Sequence, residues 1–108
     1  MPYEILVCQL ANGREPFTEW LNGELDPKTR YRVEARIDRL EDGNFGDVAP
    51  IGEGLSELRL DFGPGYRIYF GQRGQQIHLL RGGSKRTQDP NIESAKKFWR
   101  THDDSTLP

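Results

Sequence analysis

The sequence predicts an α+β fold, a small antiparallel or mixed sheet with helices packed on one face. Three observations predict it. Leu58-Arg59-Leu60-Asp61-Phe62 and Tyr66-Arg67-Ile68-Tyr69-Phe70 alternate apolar and polar residues with the period of a half-buried strand. Two proline-opened segments ahead of them carry apolar residues at helical spacing. A third helical pattern closes the chain, giving the order β-α-α-β-β-β-α.

Tyr3 to Leu10 is short, apolar and β-prone, and reads as the first strand, broken by Ala11-Asn12-Gly13-Arg14. Pro16 opens a helix whose Phe17, Trp20 and Leu21 form one apolar stripe, ending near Gly23. Asp26-Pro27 is a cap followed by proline at the first helical position. That helix runs to about Glu41, with Val33, Ile37 and Leu40 inward and Gly43 as its stop. Its outer face mixes Arg30, Arg32, Glu34, Arg36, Asp38 and Arg39, the pattern of a solvated face. Asn44 to Gly54, rich in Gly, Asp and Pro, reads as a loop. Three strands follow between Leu55 and Gln88, separated by Gly63-Pro64-Gly65 and Arg73-Gly74 and closed by a basic loop with Lys85 and Arg86. Asp89-Pro90 repeats the cap-plus-proline device, and Ile92, Ala95 and Trp99 mark a closing helix ending near Arg100. Residues 3–101 form one domain and 102–108 a flexible tail.

The 108 residues suffice for a single core. A formal net charge of -2 argues against non-specific coating of nucleic acid. The charge is unevenly spread. Leu55–Gln88 holds six basic and two acidic residues, a net of +4, whereas Met1–Val48 holds six basic and ten acidic residues, a net of -4. That asymmetry predicts a basic functional face on an acidic scaffold. Cys8 is the single cysteine, which excludes an internal disulfide and a zinc cage built from cysteines; it reads as a small buried residue. No cofactor or metal is expected. The N-terminus has no charged-then-apolar signal, and no apolar run approaches the roughly 20 residues that span a bilayer. A soluble, cytoplasmic protein with no membrane partner is expected.

The polar face of the three-strand stretch presents Arg59, Arg67 and Tyr69, with Lys85 and Arg86 just beyond the last strand, a surface suited to a phosphate-bearing ligand. Each arginine also has a plainer reading, an exposed sheet residue pairing with Asp61 or Glu57. Tyr69 shares a face with Arg67 and serves either as a base-stacking or proton-donating group or as ordinary sheet packing. Lys85 is a candidate proton donor or a solvated loop lysine. Arg81 and Arg86 are further candidate phosphate contacts. Histidine titrates near neutrality, which makes His78 a candidate RNA-contacting or catalytic residue, but alternation leaves its face open; His102 falls in the expected tail. Gly82-Gly83-Ser84-Lys85 lacks the spacing and the following helix of a phosphate loop, and Trp20 and Trp99 sit on core stripes.

Three stretches in this order carry a family resemblance: Gly52-Glu53-Gly54-Leu55-Ser56-Glu57-Leu58-Arg59, Gly63-Pro64-Gly65-Tyr66-Arg67-Ile68-Tyr69-Phe70, and Leu79-Leu80-Arg81-Gly82-Gly83-Ser84-Lys85-Arg86-Thr87-Gln88. The last is followed by Asp89, Ile92 and Ala95. Over residues 3–101 the chain resembles the RelE/ParE/HigB superfamily of type II toxin-antitoxin toxins, in the branch called addiction module killer protein. The resemblance implies one of two toxin activities: metal-free endoribonuclease cleavage of mRNA on the ribosome, with inhibition of translation, or poisoning of DNA gyrase. A degenerate toxin acting as a co-repressor is a third outcome. It also implies a cognate antitoxin, a small helix-turn-helix protein, and an operator-DNA-binding complex of the two. Arg67 matches the superfamily's strand arginine. Lys85 or Arg86 lies where related toxins place a basic or histidine residue near the leaving group.

Overall fold

The computed structural model describes residues 2–105, and of residues 103–105 the backbone alone. The fold is α+β. Strand β1 (Glu4–Val7) is followed by α1 (Pro16–Gly23) and α2 (Pro27–Glu41), then by β2 (Val48–Gly52), β3 (Leu55–Arg59), β4 (Tyr66–Arg73) and β5 (Gln76–Ser84). A single 3-10 turn, Lys85–Thr87, leads into α3 (Gln88–Ser105). The five strands form one sheet in the order β1-β5-β4-β3-β2, mixed because β1 runs parallel to β5 while the others pair antiparallel.

Local signals place α2 where the sequence puts it. The Asp26 carboxylate accepts from the Thr29 N–H at 2.8 Å, and Pro27 occupies the position whose N–H would lack a partner. At the other end Gly43, at φ 88°, donates to the Leu40 carbonyl at 3.0 Å, and Asn44 donates to Arg39 at 2.8 Å. That pair of bonds is a Schellman closure, and the left-handed backbone it needs is why a glycine stands there.

Three expectations are corrected. Residues 48–52 are strand, not loop: β2 joins β3 through Glu53 and Gly54, both at positive φ (58° and 79°), the geometry of a two-residue hairpin. Pro50 is tolerated because β2 is an edge strand. The closing helix starts at Gln88, after a turn whose cap is the Ser84–Thr87 pair, so Asp89 and Pro90 sit inside its first turn. It continues to Ser105, so residues 102–105 are helix and not tail; residues 106–108 lie outside the described residues.

The third correction matters most for function. The helices cover both faces of the sheet. Phe17, Trp20, Val33 and Leu40 of α1 and α2 pack with Leu58, Ile68, Phe70, Ile77 and Leu79. Ala95 and Trp99 of α3 pack with Leu55, Tyr69, Leu80 and Cys8. Because side chains alternate across a strand, these are opposite faces. The central strands carry apolar residues on both, and a second helix layer removes that area from water. Two glycines let the tryptophans approach. A Cβ on Gly71 would stand 2.7 Å from the Trp99 ring, and one on Gly82 would overlap the Trp20 ring. Among the described residues, no helix is long and apolar enough to cross a membrane.

Candidate functional site

The register of the meander sets out the basic residues. Arg59 and Arg67 are directly paired across β3 and β4, Glu57 and Tyr69 are the next pair on the same face, and Arg81 lies opposite Tyr69 on β5. Glu57 is the hub of this group, although it is only 1% exposed. Its carboxylate accepts from Arg59 Nε at 3.0 Å, lies 3.8 Å from Arg67 Nε, and accepts from the Gln88 side-chain amide at the start of α3. A buried carboxylate needs such partners, since an uncompensated charge away from water is strongly unfavourable. The plainer reading, an exposed sheet arginine pairing with Asp61 or Glu57, describes Arg59; Arg67 lies near Glu57 but is largely buried, and its Nε has no hydrogen-bond partner among the described residues.

Arg67 and Lys85 meet at one turn. The Arg67 side chain is only 12% exposed, and its Nη1 donates to the Gly65 and Tyr66 carbonyls at 3.4 and 3.2 Å, both long bonds. The Lys85 N–H donates to the Gly65 carbonyl at 2.7 Å. A Cβ on Gly65 would touch the Lys85 Cβ at 3.4 Å and Arg67 Nη1 at 3.7 Å. The exposed lysine therefore stands over the same glycine as the tip of the arginine. Arg59, 42% exposed, also reaches toward Asp47 at 3.9 Å. Arg81 donates through Nη1 to Ser94 Oγ at 3.2 Å. Together with exposed Arg86, it lines a cavity of about 430 Å³ beside Trp20, Tyr66 and Asn91.

Two candidates are placed elsewhere. Tyr69 is 0% exposed under α3, so it packs the core and does not offer its ring to a base. Its hydroxyl has no hydrogen-bond partner among the described residues, and burial, reinforced by Glu57, pushes the phenol up to about 12. It stays protonated at neutral pH.

His78 is paired with Gly71, well along β5 from Gly83, the partner of Arg67. It is 5% exposed, with Trp99 at 5.5 Å and His102 at 5.2 Å between ring centroids. It belongs to a different corner of the sheet. Burial, with smaller contributions from His102 and Arg73, lowers its pKa below the usual 6.5. The unfolded chain thus binds the proton more readily than the folded one, so stability is full above about 6.5 and falls as the pH drops through that value. Urea midpoints between pH 7.5 and 5.5 should show this loss, and His78→Gln should reduce it. An unchanged slope would contradict the placement.

Sequence reasoning missed the burial of Glu57, the reach of Gln88 and the part played by His102. A glutamate between Leu55 and Arg59 has the same alternation whether water or a helix covers it. Only the location of α3 distinguishes the two cases.

No family model matches the chain. An uncharacterized protein of Haemophilus influenzae (strain ATCC 51907 / DSM 11121 / KW20 / Rd) is 44% identical to it over 81 residues, 74% of this chain and 82% of that protein.

Proposed function

We propose that this chain, which belongs to one family with that Haemophilus influenzae protein, is the toxin of a type II toxin-antitoxin module that cuts mRNA on the ribosome in the cytoplasm. One observation carries the reading: the Arg59–Arg67 pair on adjacent strands, with Lys85 standing over Gly65 beside the Arg67 tip. The RelE/ParE/HigB resemblance of the three meander motifs supports it.

Cleavage by the RNA's own 2′-hydroxyl needs an in-line geometry, compensation of the charge that builds on phosphorus, and a proton for the departing 5′-oxygen. A guanidinium fork suits the second task, because it binds phosphate oxygens in pairs and keeps its charge. Arg67 takes that role with Arg59 beside it, and Lys85 is the group nearest to the departing oxygen. Arg81 and Arg86 hold neighbouring phosphates. Tyr69 acts indirectly, as the packed floor on which this part of β4 rests. The antitoxin, a small helix-turn-helix protein, holds the toxin inactive and joins it on operator DNA.

A second reading rests on Glu57. One buried carboxylate partly offsets both arginines and lowers the net charge available to a phosphate. A toxin that binds without cutting, whether a gyrase poison or an antitoxin-dependent co-repressor, fits that balance.

In a translation extract the chain should yield cut mRNA, and Lys85→Ala and Arg59→Gln should each lower the cutting rate about 100-fold. Both side chains are substantially exposed, so circular dichroism should remain that of the parent. Double-strand DNA breaks with intact mRNA would favour the gyrase reading. No growth arrest on expression would favour the co-repressor.

A further inference from the structure

Cys8, His78 and His102 converge where β1, β5 and α3 meet, away from the arginine pair. One sulfur and one nitrogen from each ring lie within 4.8 Å of one another. Each comes from a different part of the chain and is held independently. The Cys8 N–H donates to the Leu79 carbonyl at 3.0 Å, which fixes the residue after β1 beside the central strand. His78 is fixed by the β4–β5 ladder. The His102 ring stacks on Trp99, with centroids 5.6 Å apart and planes 28° from parallel. Cys8 and His78 are buried, at 2% and 5% exposure, and His78 Nε2 has no hydrogen-bond partner among the described residues. A buried nitrogen left so is unfavourable, and a bound cation would offset that cost.

A cavity of about 950 Å³ opens directly onto all three side chains. It supplies an entry path and room for a fourth ligand. We propose that Cys8, His78 and His102 bind a zinc ion through one thiolate and two imidazoles, with the fourth coordination position open to this cavity. The donor set is the basis for naming zinc: two imidazoles and a thiolate suit a borderline-soft ion that favours four ligands. Around such an ion the donor atoms stand roughly 3.3–3.7 Å apart, as metal–ligand lengths of about 2.0–2.3 Å require. The present spacing, up to 4.8 Å, is wider by about an ångström, so binding would draw the three side chains together.

The protonation states are consistent with this. Burial keeps the His78 imidazole neutral, the form that ligates, while it pushes the Cys8 thiol up to about 12, so binding must expel one proton from sulfur. Arg73, whose guanidinium lies 4.9 Å from the Trp99 ring centroid, opposes a dication here; the thiolate lowers the net charge of the occupied site to +1. The lone cysteine excludes only a cage built from cysteines, and the fold sets two histidines beside it. The ion would tie the last turns of α3 to the sheet.

The test uses the full chain, stripped of metal and titrated with Co²⁺. One equivalent should give the near-ultraviolet band of thiolate-to-cobalt charge transfer with tetrahedral visible bands, and Zn²⁺ should displace it. Cys8→Ser should abolish the thiolate band. His102→Gln, a half-buried position late in α3, should weaken Zn²⁺ binding about 100-fold or more with far-ultraviolet circular dichroism unchanged. Zn²⁺ should also raise the melting temperature of the parent and not of His102→Gln. No thiolate band, equal Zn²⁺ affinity in parent and His102→Gln, or binding of Cu⁺ without Zn²⁺ would each overturn the assignment. Should Cys8→Ser fail to fold, the His102→Gln comparison decides alone.

Discussion

Replacing Gly82 with alanine should destabilise the protein by about 3 kcal/mol, the upper part of the range for forced overpacking. The added methyl would overlap the Trp20 ring, which packs against β5 from α1. Trp20 is 4% exposed and lies 5.9 Å from Phe17 and 6.0 Å from Tyr66 between ring centroids. It can move only by disturbing both aromatic contacts, and β5 is central, hydrogen-bonded on both sides. Thermal or urea unfolding measures the change, and a melting temperature lower by more than about 10 °C is expected for a domain of this size. Gly23→Ala is the control: a methyl there would meet nothing within 4 Å, and the residue sits in α1, so the change should be neutral or slightly stabilising. Equal effects at both positions would contradict the packing described.

The other large effect should come from Glu57→Ala, also about 3 kcal/mol, for a reason unrelated to volume. The substitution leaves the largely buried Arg67 guanidinium without its carboxylate and Gln88 without its acceptor. Arg59 is exposed enough for water to replace the lost partner. Glu57→Leu combined with Arg67→Leu should recover most of the loss, because no buried charge then remains unpaired. Denaturant midpoints of the two single variants and the double variant test this. A double variant no more stable than Glu57→Leu alone would show that the pair is not the source. For the same reason Arg67→Ala confounds fold with function, and Arg67→Lys is the better probe, since it keeps the charge and removes the fork.

The parts of the fold legible in the sequence are those written in local chemistry. Asp26-Pro27 and Gly43 bound α2 because caps and left-handed closures select particular residues. The alternation around Ile68 and Phe70 places Arg59 and Arg67 on one face and, through the short turn, on adjacent strands. Strand β2 is not legible, because Pro50 and Gly52 are loop residues unless one knows they lie at an edge. The second helix layer is hidden for another reason. Tyr69 and Glu57 count as polar in an alternation pattern, yet α3 buries both, a consequence of long-range packing. The same ambiguity makes Tyr69 read as a surface group and conceals the meeting of Cys8, His78 and His102, whose sequence separations are large. Among the candidate site residues, Arg59, Arg67 and Lys85 come together as the pattern suggests, Arg81 and Arg86 line the neighbouring cavity, and His78 is elsewhere.

The central claim, that the Arg59–Arg67–Lys85 group promotes attack of an RNA 2′-hydroxyl on its own phosphate, has a chemical signature. In a translation extract, the 3′ ends of mRNA fragments released by the chain should carry a 2′,3′-cyclic phosphate or its 3′-phosphate hydrolysis product, and these ends should be reduced about 100-fold with Lys85→Ala. Intact mRNA, or fragments ending in a free 3′-hydroxyl, would contradict it.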